Sequence, residues 1–280
     1  MKLTIIGHDN VLLRLNLYLL RNSNKYQVNL ILFPQLLKNC NVVSEVSKFE
    51  KKSIFEKNTS KLNLKIPIEF WSNKNIDNFL YNYFYNNFEI DVSEFKQFLQ
   101  IKLRKIEIVE KVDFYYSKYF DIKTLESINF NNYENYILNT ANFIYSKALL
   151  NNLNNQVYHV HPGYLPDLKG ADGIFWSIYK HEKIGMSIFK MNEKIDQGKI
   201  YSRSYFKYEK IKNNYLMNLS VKNKYNFLLS TLDPLLRAKF FYDKGLDSLS
   251  NKNYLENKAG NYHTFMKDSE LEKTYEKIFY

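Results

Sequence analysis

The sequence predicts an α/β fold: an open, mostly parallel sheet with helices on both faces, followed by a short, mainly helical C-terminal extension. Its opening carries much of that expectation. Residues 2–6 are an apolar run closed by Gly7, residues 11–21 repeat apolar positions at helical spacing, and residues 27–33 are a second apolar run closed by Pro34. Strand, helix and strand in that order form a right-handed crossover, which sets the two strands parallel. The same order recurs later, with strands expected at 136–138 and 157–161 around a helix that runs through Leu149 and Leu150. Composition agrees, since 280 residues that are 45% hydrophobic and 25% charged suffice for a buried core. We expect a core unit over residues 1–205 and the extension over 206–280.

In chain order, the stretch His8-Asp9-Asn10 supplies capping candidates for the first helix. The single glycine at this first turn falls short of the three that a dinucleotide fingerprint needs, so NAD is not expected. Residues 40–131 form a divergent, aromatic-rich middle region, with a strand expected at 65–70 and helices at 76–88 and 92–103. Its Tyr and Phe stripes read as core at helical spacing, with base stacking the lesser alternative. Asn-rich stretches near Asn131 and Asn151 read as loops. In the strand at 157–161, alternation places His159 and His161 on one face. That strand runs into Pro162-Gly163, at the kind of sheet edge where open parallel sheets hold ligands. Asp172 is expected to cap a helix through Tyr179, and residues 185–191 to form a further strand. Beyond them the pattern reads as a long helix over 215–242, a short segment at 260–265 and a last helix to Tyr280.

A net charge of +11 raises the question of a polyanionic partner. Lys, Asn, Tyr, Phe and Ile are enriched together, however, as A+T-rich coding would produce, so nucleic acid is not the expected partner. A locally basic cleft would equally suit a nucleotide-linked small molecule. Cys40 is the only cysteine, which excludes an intrachain disulfide and a cysteine-based zinc site. The opening Met-Lys-Leu-Thr-Ile-Ile-Gly is too short for a signal sequence, and no run of 18 apolar residues occurs. We therefore expect a cytoplasmic protein with no membrane partner.

From His159 to Gly198 the chain reads HVHPGYLPDLKGADGIFWSIYKHEKIGMSIFKMNEKIDQG. Within it stand His161-Pro162, Leu165-Pro166, Lys169-Gly170, Gly185-Met186-Ser187 and Asp196-Gln197-Gly198. In order and spacing this string resembles the signature of the folate-dependent formyltransferase family, in the layout of the sugar N-formyltransferases. The resemblance is strongest over residues 136–201, extends to the first 35 residues, and leaves out the middle. It implies an open Rossmann-like sheet and transfer of a formyl group from 10-formyltetrahydrofolate to an amine, with no metal.

That chemistry suits these residue types. A neutral amine attacking the formyl carbon drives negative charge onto oxygen, which a positioned donor stabilises. Protons must leave the attacking nitrogen and reach the departing one, which calls for an acid/base group. His161 is the candidate donor, and Asp196 the candidate proton acceptor and partner of the imidazole. His159 stands where the family has an asparagine. An imidazole N–H can donate the same hydrogen bond, but it is bulkier and titratable, so a working donor and a degenerate site are both open.

By the same resemblance Phe143, Ile144 and Tyr145 would run along the folate's pterin ring, although the start of a core helix explains them equally. Asn192 to Ile195 would close the other side, and Leu165 and Pro166 would shape the floor. Two histidines at i and i+2 with a distal Asp also suit a zinc site, but a metal leaves the Leu-Pro, Lys-Gly and Asp-x-Gly matches unexplained. The family's acceptors are the amine of a nucleotide sugar, of methionyl-tRNA or of glycinamide ribonucleotide. A methionyl-tRNA enzyme carries a β-barrel domain after the core, whereas the residues here read mainly as helix. A nucleotide-linked amino sugar, as used in glycan biosynthesis, is therefore the expected acceptor. A methionyl-tRNA enzyme and a catalytically silent binder of folate or nucleotide sugar are the alternatives. The resemblance leaves room for a homodimer through the elements after the core, and core packing explains the same aromatic residues.

Overall fold

Apolar runs build the first crossover as expected. β1 (Lys2–Gly7) and β2 (Gln27–Leu32) pair in parallel on either side of α1 (Val11–Leu20). Asn10 caps that helix, its side-chain oxygen accepting from the Leu13 N–H at 2.9 Å. The structure is a computed structural model that describes residues 1–23, 25–32, 70–114, 136–141, 145–154, 156–250, 253–258 and 260–280. Cys40, and residues 65–69 of the strand expected at 65–70, lie outside the described residues.

The chain continues through α2 (Asp77–Phe88), α3 (Val92–Leu99), β3 (Val109–Phe114), β4 (Ile137–Asn139) and α4 (Lys147–Asn152). Next come β5 (Val157–His161), β6 (Leu168–Gly170), α5 (Gly173–His181), β7 (Ile184–Lys190) and β8 (Ile200–Phe206). The remainder is α6 (Asn214–Met217), α7 (Val221–Ser230), α8 (Leu232–Phe240), α9 (Leu246–Ser250), β9 (Asn261–His263) and α10 (Asp268–Phe279). Seven strands form one sheet in the order β3-β2-β1-β4-β5-β7-β8, while β6 and β9 pair separately. The five strands from β3 to β5 run parallel, and β7 and β8 are antiparallel to their neighbours. Among the described residues no helix is long and apolar enough to cross a membrane.

Alternation along the strands feeds two apolar layers. Leu3 and Ile5 pack in the larger cluster with Leu13 and Leu17 of α1 and Leu235 and Leu236 of α8. Ile6, Ile31, Ile137 and Val157 face the other way, onto Leu149, Leu150 and Leu153 at α4. Helices thus cover both faces of the sheet.

Several expectations need correction. The helix expected at 92–103 stops at Leu99, and a separate 3₁₀ turn spans Leu103–Lys105. The single helix expected at 215–242 is interrupted: Ser220 caps α7 through the Asn223 N–H, and Pro234, which has no amide hydrogen, sits in the first turn of α8. Asp172 occupies the cap position of α5 but in a left-handed conformation (φ 54°), and its carboxylate makes no capping bond.

α1 also carries a buried cation. Arg14, 5% exposed, donates from Nε and Nη2 to the two Asp9 carboxylate oxygens at 2.6 and 2.7 Å and from Nη1 to the Ile101 main-chain oxygen at 2.5 Å. The pair ties the β1–α1 turn to the end of α3. Removing one partner of such a pair strands a desolvated charge. Asp9→Ala is therefore expected to cost about 3–5 kcal/mol in urea unfolding. The double substitution Asp9→Ala/Arg14→Met should recover much of that loss; equal stability of Asp9→Ala and the unsubstituted protein would contradict the assignment.

Candidate active site

Where the parallel part of the sheet gives way to β7, the ends of β4 and β5 lie side by side, with Asn139 in register with His159 and His159 opposite Phe189. A cavity of about 480 Å³ opens over these ends. One wall is the sheet, through Asn139, His159, His161 and Phe189; a second is the loop holding Asn192, Ile195 and Asp196. The end of β6 and the start of α5, from Gly170 to Ile174, make a third. The fourth is a helical stripe, Tyr225, Leu229, Asp233 and Arg237, spaced four residues apart across α7 and α8.

The two carboxylate oxygens of Asp196 have different surroundings. Oδ2 accepts the Gly170 N–H at 2.8 Å, and Oδ1 stands 3.6 Å from His161 Nδ1. Asp196 is left-handed (φ 51°), and its loop is held from several sides. Asn257 Nδ2 donates to the Asp196 and Gly198 main-chain oxygens at 2.8 and 3.0 Å, and the Tyr262 hydroxyl donates to the Ile195 oxygen at 2.6 Å. Position 198 must be glycine for this loop to close, because a Cβ there would sit 1.6 Å from the Lys190 carbonyl oxygen. Gly170 meets two demands at once: its φ is +96°, and a Cβ would lie 2.2 Å from the His263 oxygen.

The two imidazoles are anchored through opposite nitrogens. His161, 3% exposed, has Nε2 at 2.8 Å from the Leu168 main-chain oxygen. A carbonyl only accepts, so Nε2 carries hydrogen and Nδ1 faces Asp196. His159 has Nδ1 at 3.1 Å from the Asn139 main-chain oxygen and at 3.3 Å from that residue's amide nitrogen. The nearer partner is again a carbonyl, which assigns the hydrogen to Nδ1 and leaves Nε2 bare. The Asn139 amide is itself fixed, accepting from the Ala141 N–H and the Tyr145 hydroxyl at 3.0 and 2.9 Å and donating to the Ala141 oxygen at 3.0 Å. His159 opens partly to the cavity, but protein encloses it at longer range. Burial, helped by the Arg237 charge and opposed by Asp196, lowers its pKa from 6.5 to about 3.

On the helical wall Arg237 Nη1 lies 3.4 Å from Asp233 Oδ2, and both residues are more than nine-tenths buried. Asp233 Oδ1 and Arg237 Nε have no hydrogen-bond partner among the described residues. Burial raises the Asp233 pKa, with Arg237 and His161 pulling it down. Asp172, released from capping, accepts from the Tyr225 hydroxyl at 2.6 Å and from the Met266 N–H at 2.9 Å. Among the described residues no group of three or more His, Cys, Asp or Glu side chains could hold a metal ion.

The fold thus gathers His159, His161, Asp196, Tyr145, Asn192 and Ile195 around one cavity. Leu165 and Pro166 are not part of its lining. Leu165 is fully buried one layer behind, packed with Ile200 against Phe189, which takes the place on the cavity wall. Phe143 and Ile144 lie outside the described residues. Sequence reasoning missed Asn139, Tyr225, Asp233 and Arg237. The spacing of the last two, an acid and a base at i and i+4, ordinarily marks a solvated helix face.

A model of the family described as "Formyl transferase" matches residues 41–219, more than half of the chain and including the whole His159 to Gly198 string. No curated protein matches. Among solved structures, the chain is similar to a 4-N formyltransferase from Francisella tularensis, at 14% identity over 98% of this chain and 86% of that one, with a TM-score of 0.47. It is also similar to the formyltransferase PseJ from Anoxybacillus kamchatkensis, determined with UDP-4,6-dideoxy-4-formamido-L-AltNAc and tetrahydrofolate. That likeness has 23% identity over 55% of this chain and 74% of that one, with a TM-score of 0.39. Methionyl-tRNA formyltransferase from Clostridium thermocellum matches at 12% identity over 95% and 73%, with a TM-score of 0.45.

The His159 shift has a consequence for stability. Below pH 6.5 the unfolded chain binds a proton at this residue that the folded chain refuses until about pH 3, so acidification favours unfolding through this window. At pH 5 the loss from His159 alone is roughly 2 kcal/mol. His159→Asn is expected to flatten the fall in urea-unfolding stability between pH 7 and 5, and an unchanged slope would argue against a neutral His159.

Proposed function

The chain belongs to the formyl transferase family, and on that premise we propose that it moves a formyl group from 10-formyltetrahydrofolate to the amino group of a nucleotide-linked amino sugar. The observation that carries the reading is the family match across the one string whose His161 and Asp196 stand 3.6 Å apart at a cavity.

The cavity suits such a donor. Its volume of about 480 Å³ lies in the small-molecule range, and it sets Tyr145, Phe189 and Met191 beside the loop from Asn192 to Asp196. A flat ring with hydrogen-bonding edges fits apolar side chains on one side and loop main chain on the other. When bound, 10-formyltetrahydrofolate supplies an activated formyl group. His161, expected from the sequence as the oxyanion donor with Asp196 as the proton acceptor, is here assigned the base instead: with Nε2–H committed to Leu168, its Nδ1 is the nitrogen able to take the amine proton and pass it on to the departing folate nitrogen. Asp196 Oδ1 stands beside the imidazolium formed in that transfer and holds the ring in orientation. The gap of 3.6 Å exceeds a hydrogen bond, and catalytic contacts of this kind close when substrate is bound.

The nucleotide-linked acceptor rests on the elements after the motif and on the charge of the cavity. Residues after β8 form helices and a short strand, β9, that folds back to pair with β6 instead of standing apart as a barrel. Lys194 and Arg237 line the cavity and suit an anionic substrate. The bare nitrogen of His159, where the family has an amide that can donate, favours a second reading, a binding protein without turnover.

Formyl transfer to a panel of nucleotide-linked amino sugars, followed by tetrahydrofolate release, tests both. Turnover is expected, and His161→Ala and Asp196→Ala should each lower it by about 10²–10⁴-fold. Folate binding without turnover would favour the silent reading, and turnover indifferent to both substitutions would sink the assignment of the base.

A further inference from the structure

The functional reading gives Arg237 a charge that suits an anionic substrate but no part in the bond-making step. Its side chain is more than nine-tenths buried in the cavity wall, one helical turn beyond Asp233. A buried guanidinium is costly unless its charge is matched, and the match here is partial. The Asp233 contact is long at 3.4 Å, Arg237 Nε is unpartnered among the described residues, and so is Asp233 Oδ1. Arg14 shows how this chain satisfies a buried arginine elsewhere, with two carboxylate bonds of 2.6 and 2.7 Å. Arg237 is held in the wall with donor capacity unused.

The reaction needs such a donor. The amine lone pair forms the new C–N bond while the carbonyl π pair moves onto oxygen. Return of that pair breaks the bond to the folate nitrogen, which takes up the proton the amine gave to His161 Nδ1. At the midpoint the oxygen is an anion. His159 lines the cavity, and with its Nδ1–H committed to the Asn139 carbonyl it has no N–H left to donate to that oxygen. Arg237 is close enough to His159 for its charge to disfavour the imidazolium.

We propose that Arg237 supplies the positive charge that stabilises the formyl oxygen as it becomes negative, taking over the task of a hydrogen-bond donor at position 159. The assignment rests on the formyl-transfer reading and makes Arg237 a catalytic residue of that reaction. The charged or titratable groups that act on His159 are Arg237 from α8, Asp196 from its loop and His161 from its own strand, and Asp233, Asp172 and Lys194 line the same cavity.

The test compares wild type with R237Q and R237K in steady-state formyl transfer, alongside an NMR titration of the His159 ring. R237Q is expected to lower kcat by about 10²–10³-fold, the effect of losing one oxyanion donor, while KM for donor and acceptor stays within a few-fold. The His159 ring should titrate at higher pH in R237Q than in wild type. R237K, which keeps a cation on a shorter reach, is expected to lose only about tenfold in kcat, a smaller loss than that of an absent donor. Equal kcat in R237Q and wild type overturns the assignment, as does a rise in KM with kcat unchanged, which would mean that Arg237 anchors the acceptor. Should R237Q fail to fold by circular dichroism, R237K decides: a folded R237K that loses about 10²-fold or more overturns it. Absence of transfer by the wild type overturns the functional reading and this assignment together, whereas transfer by wild type with an indifferent R237Q overturns this assignment alone.

Discussion

His161 and Asp196 face each other because each is tied to something else. The imidazole is turned by the Leu168 carbonyl, and the carboxylate is turned by the Gly170 N–H, only two residues further along the same short strand. One three-residue segment, β6, therefore sets both partners: it decides which nitrogen of the ring is basic and which oxygen of the carboxylate is free. A direct bond between the two would have used up both positions. Fixing them through the main chain leaves the space between them open, as the proposed proton transfer requires, and main-chain bonds cost little reorganisation when charge moves.

Beside that pair the cavity wall holds two charged residues, Asp233 and Arg237, largely out of water. Asp233 and Arg237 come from a helix whose other residues, Leu235 and Leu236, belong to the core, so their placement is inseparable from the packing of α8 on α1. The same packing keeps His159 neutral, since burial is the largest influence on it and Arg237 the next. An asparagine at position 159 would be indifferent to such surroundings. The histidine is not, and its presence links the electrostatics of the site to a helix far along the chain.

Much of this was legible in the sequence, and what was not has physical causes. β1, α1 and β2 announce themselves because burial on both faces of a parallel sheet demands long apolar runs. The shared face of His159 and His161 follows from a two-residue period. β3 and β8 are the edge strands, and their sequences, VEKVDF and IYSRSYF, mix charge and polarity as exposed edges do, which blurs the strand signal. β6 and β9 are three residues each, too short for any periodicity, and they pair across some ninety positions of chain. Asp172 looked like a cap by local chemistry, yet Tyr225 and Met266 claim its carboxylate from afar. Asp233 and Arg237 escaped because helical spacing says which residues share a face and not whether that face is wet.

The residues that steady the Asp196 loop come late in the chain. Asn257 grips the main chain of Asp196 across 61 positions, Tyr262 grips Ile195, and β9 seals against β6. A ribosome that has already made His161 and Asp196 must still add those residues before the loop can be fastened, which at about 5–20 residues per second takes roughly 3–12 s. Until those residues are made the Asp196 loop lacks the contacts that hold it, so the proposed site is completed by parts of the chain synthesised well after the motif itself.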